Sequence, residues 1–298
     1  MTKVILLLMY LLLASVLAGT PAYARTSEIL QVRHPVNSDN PIYRQRDEYF
    51  LAQLEQALKL TEQPYQLIPS PVPTMPEDRS IMLIENGYYN VHWMNTSESR
   101  EDNLRAIKIP LAKGLIGWRL MLVHASNAQQ LAEVKTAAEL KNLVAGVGHD
   151  WPDMAVFRHH KFSVFPASST AGLQQMLSLR RIDYFPRSIL EIWQEHATTE
   201  HPELVINESL VLQYPAAMYF FVAKDNVELH DKIKYGLEIA IQTGQFDALF
   251  YQYFGEVIKK ARLEQRHLIK VSNPLLNDQE YLANDALWFK PAAILNEQ

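Results

Sequence analysis

The chain has no cysteine, which excludes disulfide staples, thiol catalysis and cysteine-ligated metals, and leaves no residue near its start to carry a lipid. It has no G-x-S-x-G, no H-E-x-x-H and no phosphate-cradling P-loop, so common signatures of acyl hydrolases, zinc proteases and nucleotide hydrolases are missing. Gly146-Val147-Gly148 lacks the third glycine of a dinucleotide fingerprint and reads as a tight strand-to-helix turn. Positive charge is in deficit, with 28 Lys and Arg against 33 Asp and Glu and a net charge of −5. That balance supplies no electrostatic reason for nucleic acid or an anionic membrane surface as partner. There is no internal repeat and no low-complexity segment. Beyond the first apolar run, no hydrophobic stretch approaches the roughly 20 residues that span a bilayer.

That first run is the most informative feature present. Lys3 supplies a positive start, residues 4–17 an apolar core, and Ala22-Tyr23-Ala24 small residues around a cleavage point before Arg25. This layout predicts a secretory signal peptide over residues 1–24, with an uncleaved anchor as the alternative. The expected mature chain has 274 residues, 27 basic and 33 acidic, for a net charge of −6. It is expected as a free, soluble, monomeric protein of a bacterial periplasm. Hydrophobic residues at 48% and aromatics at 10% exclude a disordered chain, and this length buries a core as one large or two ordinary domains.

The rest alternates strand-like and helix-like segments. Residues 28–32 predict a strand ending at His34-Pro35. Over 40–60, Ile42, Tyr49, Phe50, Leu54, Ala57 and Leu58 fall on one helical face. A short strand at 65–68 runs into Pro69, Pro71, Pro73 and Pro76, a stiff connector. A helix at 80–85 and strands at 91–94 and 116–124 follow. The spacing Thr136…Glu139 makes a capping box, before strands at 144–148, 162–165 and 182–185 and helices at 151–162, 169–180 and 188–196. The apolar segment 210–222 is interrupted at Tyr214-Pro215, and helices are expected at 226–243, 246–254 and 256–266. Such alternation predicts an α/β fold with mainly parallel sheets flanked by helices. The two long apolar strands bracket a block with its own βαβαβ pattern. The expected organisation is a first lobe from residues 25–123, a second lobe from 124–212, and a hinge return with more of the first lobe from 213–298.

Four stretches carry a resemblance: Thr96-Ser97-Glu98-Ser99-Arg100 with Ile109-Pro110-Leu111; Lys135-Thr136-Ala137-Ala138-Glu139-Leu140 leading to Val144; residues 168–179 leading to Arg181-Ile182-Asp183-Tyr184; and Tyr219-Phe220-Phe221-Val222-Ala223-Lys224 leading to Thr243-Gly244-Gln245-Phe246. In order and spacing the chain resembles the bacterial extracellular solute-binding proteins of type II fold, close to the amino-acid-binding group of ABC transporters. The resemblance implies two lobes joined by crossing hinge strands, here near His124 and Tyr214-Pro215, closing over a ligand. It also implies that Arg100, with Thr96 near it, pairs with a ligand carboxylate, a role that suits a guanidinium fork. A surface arginine pairing with Glu98 or Glu101 is the alternative.

Ser168, Ser169 and Thr170 open a helix whose N–H groups suit an anion, or simply cap it. The aspartate expected five residues after Asp183 is absent, because Tyr184, Phe185, Pro186, Arg187 and Ser188 follow. An α-ammonium then lacks its counter-charge unless Glu191 or Glu195 supplies one. His34-Pro35 stands where the family presents a glycine-flanked aromatic. The expected ligand-binding set is Arg100, Thr96, Trp93, His34, Trp151, Ser169, Thr170, Tyr184 and Arg187, a cleft for a carboxylate-bearing or anionic molecule with Trp93, Trp151 and Tyr184 as walls.

The clusters His149, Asp150, Asp153 and His196, Glu200, His201 have metal-ligand chemistry, but read as turn and helix-end residues. His159-His160 cannot face one way on a helix, and Asp183 with Glu191 has no defined separation. No metal, cofactor or catalytic residue is expected. The expected function is solute capture for ABC-type uptake, with a membrane permease as partner. A sensory protein signalling to a membrane sensor is the alternative, and a periplasmic enzyme the second. The stretch 273–298 is expected to pack on the first lobe, or to serve as a partner-binding tail.

Overall fold

The computed structural model describes residues 29–37, 44–73, 75, 78–276 and 278–291. The expected export signal and the proline at position 76 lie outside the described residues.

A parallel pair opens the fold: β1 (Leu30–Asn37) lies beside β2 (Tyr65–Val72), with Leu30 opposite Tyr65 and Asn37 opposite Val72. The helix between them, α1 (Arg44–Lys59), buries Tyr49, Phe50, Leu54, Ala57 and Leu58 completely. The prolines at 69 and 71 lie within β2, which pairs only with β1, so an edge strand extends where the sequence suggested a connector. After α2 (Arg79–Glu85), β3 (His92–Asn95), α3 (Glu98–Asn103) and β4 (Leu104–Ile107) follow. The last strand of this region, β11 (Met218–Ala223), returns between β3 and β4, antiparallel to both.

A second set of sheets is built around β5 (Trp118–His124). Helices α4 (Ala128–Glu133) and α5 (Ala137–Leu140) lead to β6 (Val144–Gly148), and Thr136 and Glu139 form the expected capping box. Then come α6 (Asp153–His159), β7 (Ser163–Ala167), α7 (Thr170–Ser178), β8 (Phe185–Ser188), α8 (Ile192–Ala197), β9 (Leu204–Ile206) and β10 (Leu210–Gln213). β6 and β7 are parallel, while β5 is antiparallel to β8, β9 and β10, so with β11 antiparallel to both its neighbours the sheets are mixed rather than the mainly parallel ones the alternation predicts. Two long helices follow β11, α9 (Val227–Gln242) and α10 (Gln245–Ala261), before β12 (His267–Lys270) and α11 (Gln279–Ala283).

Three further elements depart from the sequence pattern. β8 runs 185–188 rather than 182–185, because Pro186, Arg187 and Ser188 are all buried in it while their polarity disguises a strand. The helices expected at 246–254 and 256–266 are one helix, α10. Gly255 lies within it and the turn comes at Arg262, whose φ is 45°. A helical glycine costs about 1 kcal/mol relative to alanine, too little to break a helix whose Phe246, Phe250 and Phe254 are buried on one face. Finally, β12 pairs in parallel with β10, so the five-stranded sheet takes strands from both 118–124 and 267–270, outside the 124–212 block.

The chain passes between the two sets of sheets twice, through 108–117 and 214–217. The passage is not at His124, which pairs with Leu204 at the far end of β5. Gly117 marks it: its carbonyl accepts from the Tyr214 N–H at 3.2 Å. In the C-terminal stretch Leu276, Leu287, Trp288 and Phe289 join the larger core. Phe289 N–H donates to Lys113 O at 2.7 Å, and Trp288 Nε1 donates to Tyr281 O at 2.9 Å.

Candidate functional site

Between the two passages and the facing ends of the sheets lies a cleft of about 520 Å³. Trp93, Arg100, Trp151, Ser169, Thr170 and Arg187, all expected from the sequence, line it. Thr96, His34 and Tyr184 do not appear in its lining. Thr96 is buried and donates from Oγ1 to Glu101 Oε1 at 2.5 Å. His34 is buried with its ring stacked on Trp93, centroids 6.3 Å apart, and burial lowers its pKa. Tyr184 belongs to the smaller core beside Ala145 and Val147, and burial raises its hydroxyl pKa. It directly precedes β8 and pairs in parallel with Ala145 of β6, which places its ring in that core.

The sequence did not show how many charges the fold brings together here. Four arginines line the cleft among the described residues (Arg46, Arg100, Arg119 and Arg187), with five carboxylates (Asp47, Asp78, Asp150, Asp153 and Glu191). The charge of the cleft is therefore mixed, with acids beside the arginines expected from the sequence. Of the two acids that follow Arg187, Glu191 lines the cleft and Glu195 does not appear in its lining. Asp183 itself accepts from Val144 N–H at 2.7 Å and ties the strand ends together.

The pairings are specific. Arg187 meets Glu195 twice, Nε to Oε2 and Nη2 to Oε1, both at 2.6 Å, and meets Glu191 Oε2 at 2.8 Å. Its guanidinium lies 4.5 Å from the centroid of the Trp151 ring, a cation–π geometry. Glu191 reaches across the cleft with its other oxygen, accepting from Arg46 Nη1 at 2.8 Å. α1 on one side and α8 on the other are thus bridged by Arg46–Glu191–Arg187. Burial alone raises the Glu191 pKa, but the charges of Arg187, Arg46 and Arg119 outweigh it and hold the carboxyl below the ordinary range.

Arg119, on β5, pairs with Asp153 at 2.7 Å, and the Tyr214 hydroxyl donates to the same carboxylate oxygen. Burial lowers the Arg119 pKa, but Asp153, Tyr214 and Glu191 more than compensate, so the net shift is upward.

Arg100 is placed by its own short helix. Ser97 caps α3, accepting from Arg100 N–H at 3.3 Å, and Nη1 donates to Asn95 O at 2.5 Å. Its partner is neither Glu98 nor Glu101 but Asp78, whose Oδ1 accepts from Nε at 3.1 Å and from Nη2 at 2.9 Å. Ser169 caps α7, accepting from Gly172 N–H at 3.1 Å, while also lining the cleft.

His92 lines the cleft on β3 and was not expected from the sequence. Burial, then the positive charges of Arg100 and Arg46, push its pKa down to about 3. An unfolded histidine takes up a proton as pH falls through about 6.5, so between there and about 3 the unfolded chain binds the extra proton and stability falls with pH. Glu191 acts in the same direction at lower pH: its contribution is full above its unfolded value and is lost as pH falls through its depressed folded value. Between pH 7 and pH 5 the His92 contribution is at most about 2 kcal/mol. In His92→Gln the fall in Tm between pH 7 and pH 5 is expected to be visibly smaller than in wild type. Parallel falls in calorimetry would refute the assignment.

The metal-type clusters are placed apart from one another. His149 Nδ1 stands 3.7 Å from Asp150 and His196 Nε2 lies 2.9 Å from Leu204 O. Asp150 and Asp153 face the cleft.

Solved structures share this architecture. A probable amino-acid ABC transporter extracellular-binding protein from Bacillus subtilis has a TM-score of 0.57 and 13% identity, covering 77% of this chain and 99% of its own. An ancestral arginine-binding protein bound to arginine has a TM-score of 0.52 and 17% identity, covering 76% and 98%. A histidine kinase sensor domain with similarity to periplasmic binding proteins has a TM-score of 0.51 and 13% identity, covering 77% and 97%. No family model and no curated protein matches the sequence. The likeness defines the fold: mixed α/β, two-lobed, of the type II periplasmic-binding-protein class. Among the described residues no helix is long and apolar enough to cross a membrane.

Proposed function

We propose that the protein is a periplasmic solute-binding protein that captures a small carboxylate-bearing ligand by hinge closure and delivers it to an ABC-type permease. The observation that carries this reading is the setting of Arg100. Its guanidinium is held at the cleft wall at 3% exposure, while the carboxylate on it, Asp78, is 59% exposed. Asp78 can turn out into water while the buried guanidinium keeps a carboxylate on its fork, so a ligand carboxylate can take its place without leaving Arg100 unpaired. The mixed charge of the cleft extends the reading to ligands that also carry a cation, with Glu191 as its partner. Closure follows from contacts made to both sides at once, since a ligand shifts the open–closed equilibrium only by its differential affinity. The Arg46–Glu191 bridge is one such contact within the protein.

The solved structures that share the fold include binding proteins, which supports binding rather than turnover. A second reading, a ligand-responsive sensory protein, is favoured by the kinase sensor domain that shares the fold. A permease or a sensor encoded beside this chain separates the two.

The test is isothermal titration of the chain against amino acids and simple carboxylates. Arg100→Ala is expected to weaken binding by at least about 10-fold, since hydrogen bonds to a charged group contribute about 1.5–3 kcal/mol. Unchanged affinity in that variant removes the carboxylate site.

A further inference from the structure

Ser80 Oγ, His92 Nδ1 and Arg119 Nε belong to cleft-lining side chains and are buried with no hydrogen-bond partner among the described residues. Two of them, Ser80 and His92, lie beside the same tyrosine, Tyr89. The His92 ring meets Tyr89 edge to face with centroids 5.4 Å apart. Ser80 Oγ and the buried Tyr89 hydroxyl are close enough to act on one another, although neither makes a well-formed hydrogen bond. A buried polar group left unsatisfied costs on the order of 1–3 kcal/mol. Such groups are uncommon, and each asks for a reason.

The pair also differs in charge from its surroundings. The His92 ring packs edge to face on Tyr89 and Trp93, and the charged groups that act on it, Arg100 and Arg46, are cations that with burial keep it neutral. It therefore offers an uncharged hydrogen bond amid arginines, one nitrogen donating and the other accepting. A carboxylate belongs on the guanidinium forks. Ser80 and His92 together suit a small group that donates and accepts but carries no charge.

We propose that Ser80 and His92 form a neutral subsite that reads a hydroxyl group on the ligand beside its carboxylate, so that the cleft selects hydroxycarboxylates over the corresponding plain carboxylates. This rests on the reading of Arg100 as the carboxylate site. It adds the substrate class, which nothing in the Arg100 geometry supplies.

The test is calorimetric titration of the whole chain with matched pairs: succinate and malate, propionate and lactate, 3-phenylpropionate and phenyllactate. In at least one pair the hydroxylated member is expected to bind 10-fold or more tightly than its partner. His92→Phe, which keeps a ring but removes both nitrogens, is expected to bring that ratio within two-fold, and Ser80→Ala to lower it. His92→Gln is expected to retain much of the preference. In ¹⁵N spectra the His92 ring signals are expected to shift on adding the hydroxylated member and not the plain one. Equal binding within every pair, or a preference that survives both His92→Phe and Ser80→Ala, overturns the subsite and leaves the carboxylate site standing. Failure of every carboxylate to bind overturns both.

Discussion

Arg187→Ala is expected to destabilise the protein by about 3–5 kcal/mol, the usual cost of removing one partner from a buried ion pair. Two carboxylates, Glu191 and Glu195, and the face of Trp151 converge on this guanidinium. Arg187, Glu191 and Glu195 are all buried, so truncation leaves acids in low dielectric with one fewer counter-charge. At this chain length each kcal/mol moves Tm by about 2–4 °C, so a fall of about 10 °C is expected in thermal unfolding followed by circular dichroism. Arg187→Lys is expected to recover little, because an ammonium offers neither the bidentate fork to Glu195 nor a planar face to Trp151. Replacing Arg187 and Glu195 together by leucine and methionine is expected to recover much of the loss. A single-variant fall below about 2 °C would show that the three charges are not coupled as the structure has them.

Gly117→Ala is expected to cost about 3 kcal/mol and to weaken ligand binding with it. An added Cβ would stand 2.0 Å from Tyr214 O and 3.2 Å from Ala216 N. Those are backbone atoms of the second passage, so relief requires the two passages to move apart. Overpacking ordinarily costs about 1–3 kcal/mol, and a clash with backbone lies at the upper end. Because Arg119 and Tyr214 both hold Asp153, the separation also pulls at the cleft. The matched control is Gly255→Ala, where nothing lies within 4 Å of the added carbon and helix propensity predicts a gain of about 1 kcal/mol. A neutral Gly117→Ala, or equal effects at the two glycines, would remove the argument that the passages touch at Gly117.

Legibility in the sequence followed the range of the interaction. Helix α1 shows in the spacing of Tyr49, Phe50, Leu54, Ala57 and Leu58, and the capping box at Thr136 and Glu139 lies within four residues. β12 did not show, because His267-Leu268-Ile269-Lys270 is short and half polar, and it becomes a strand only by pairing with β10. β8 was displaced by three residues for a related reason. A buried arginine and serine look like surface until Glu195 and Glu191 are seen beside them. Trp93, Trp151 and Arg187 were legible as cleft residues by their types, whereas Tyr184 has the same chemistry and is turned into the core by its pairing with β6.

Local pattern in the sequence determined the alternation of strands and helices, the two-lobed α/β class, and the presence of Arg100 and Arg187 in the stretches where a cleft was expected. Only the tertiary structure decided which charges meet. Glu191 finds Arg46 across 145 residues of chain, and Arg100 finds Asp78 across 22, rather than its neighbours Glu98 and Glu101. Hydrophobic periodicity is set by the local geometry of helix and strand, and each residue contributes to it alone. A salt bridge, a neutralised histidine or an unpartnered hydroxyl is a property of the distance between segments, which exists only once the core has brought them together.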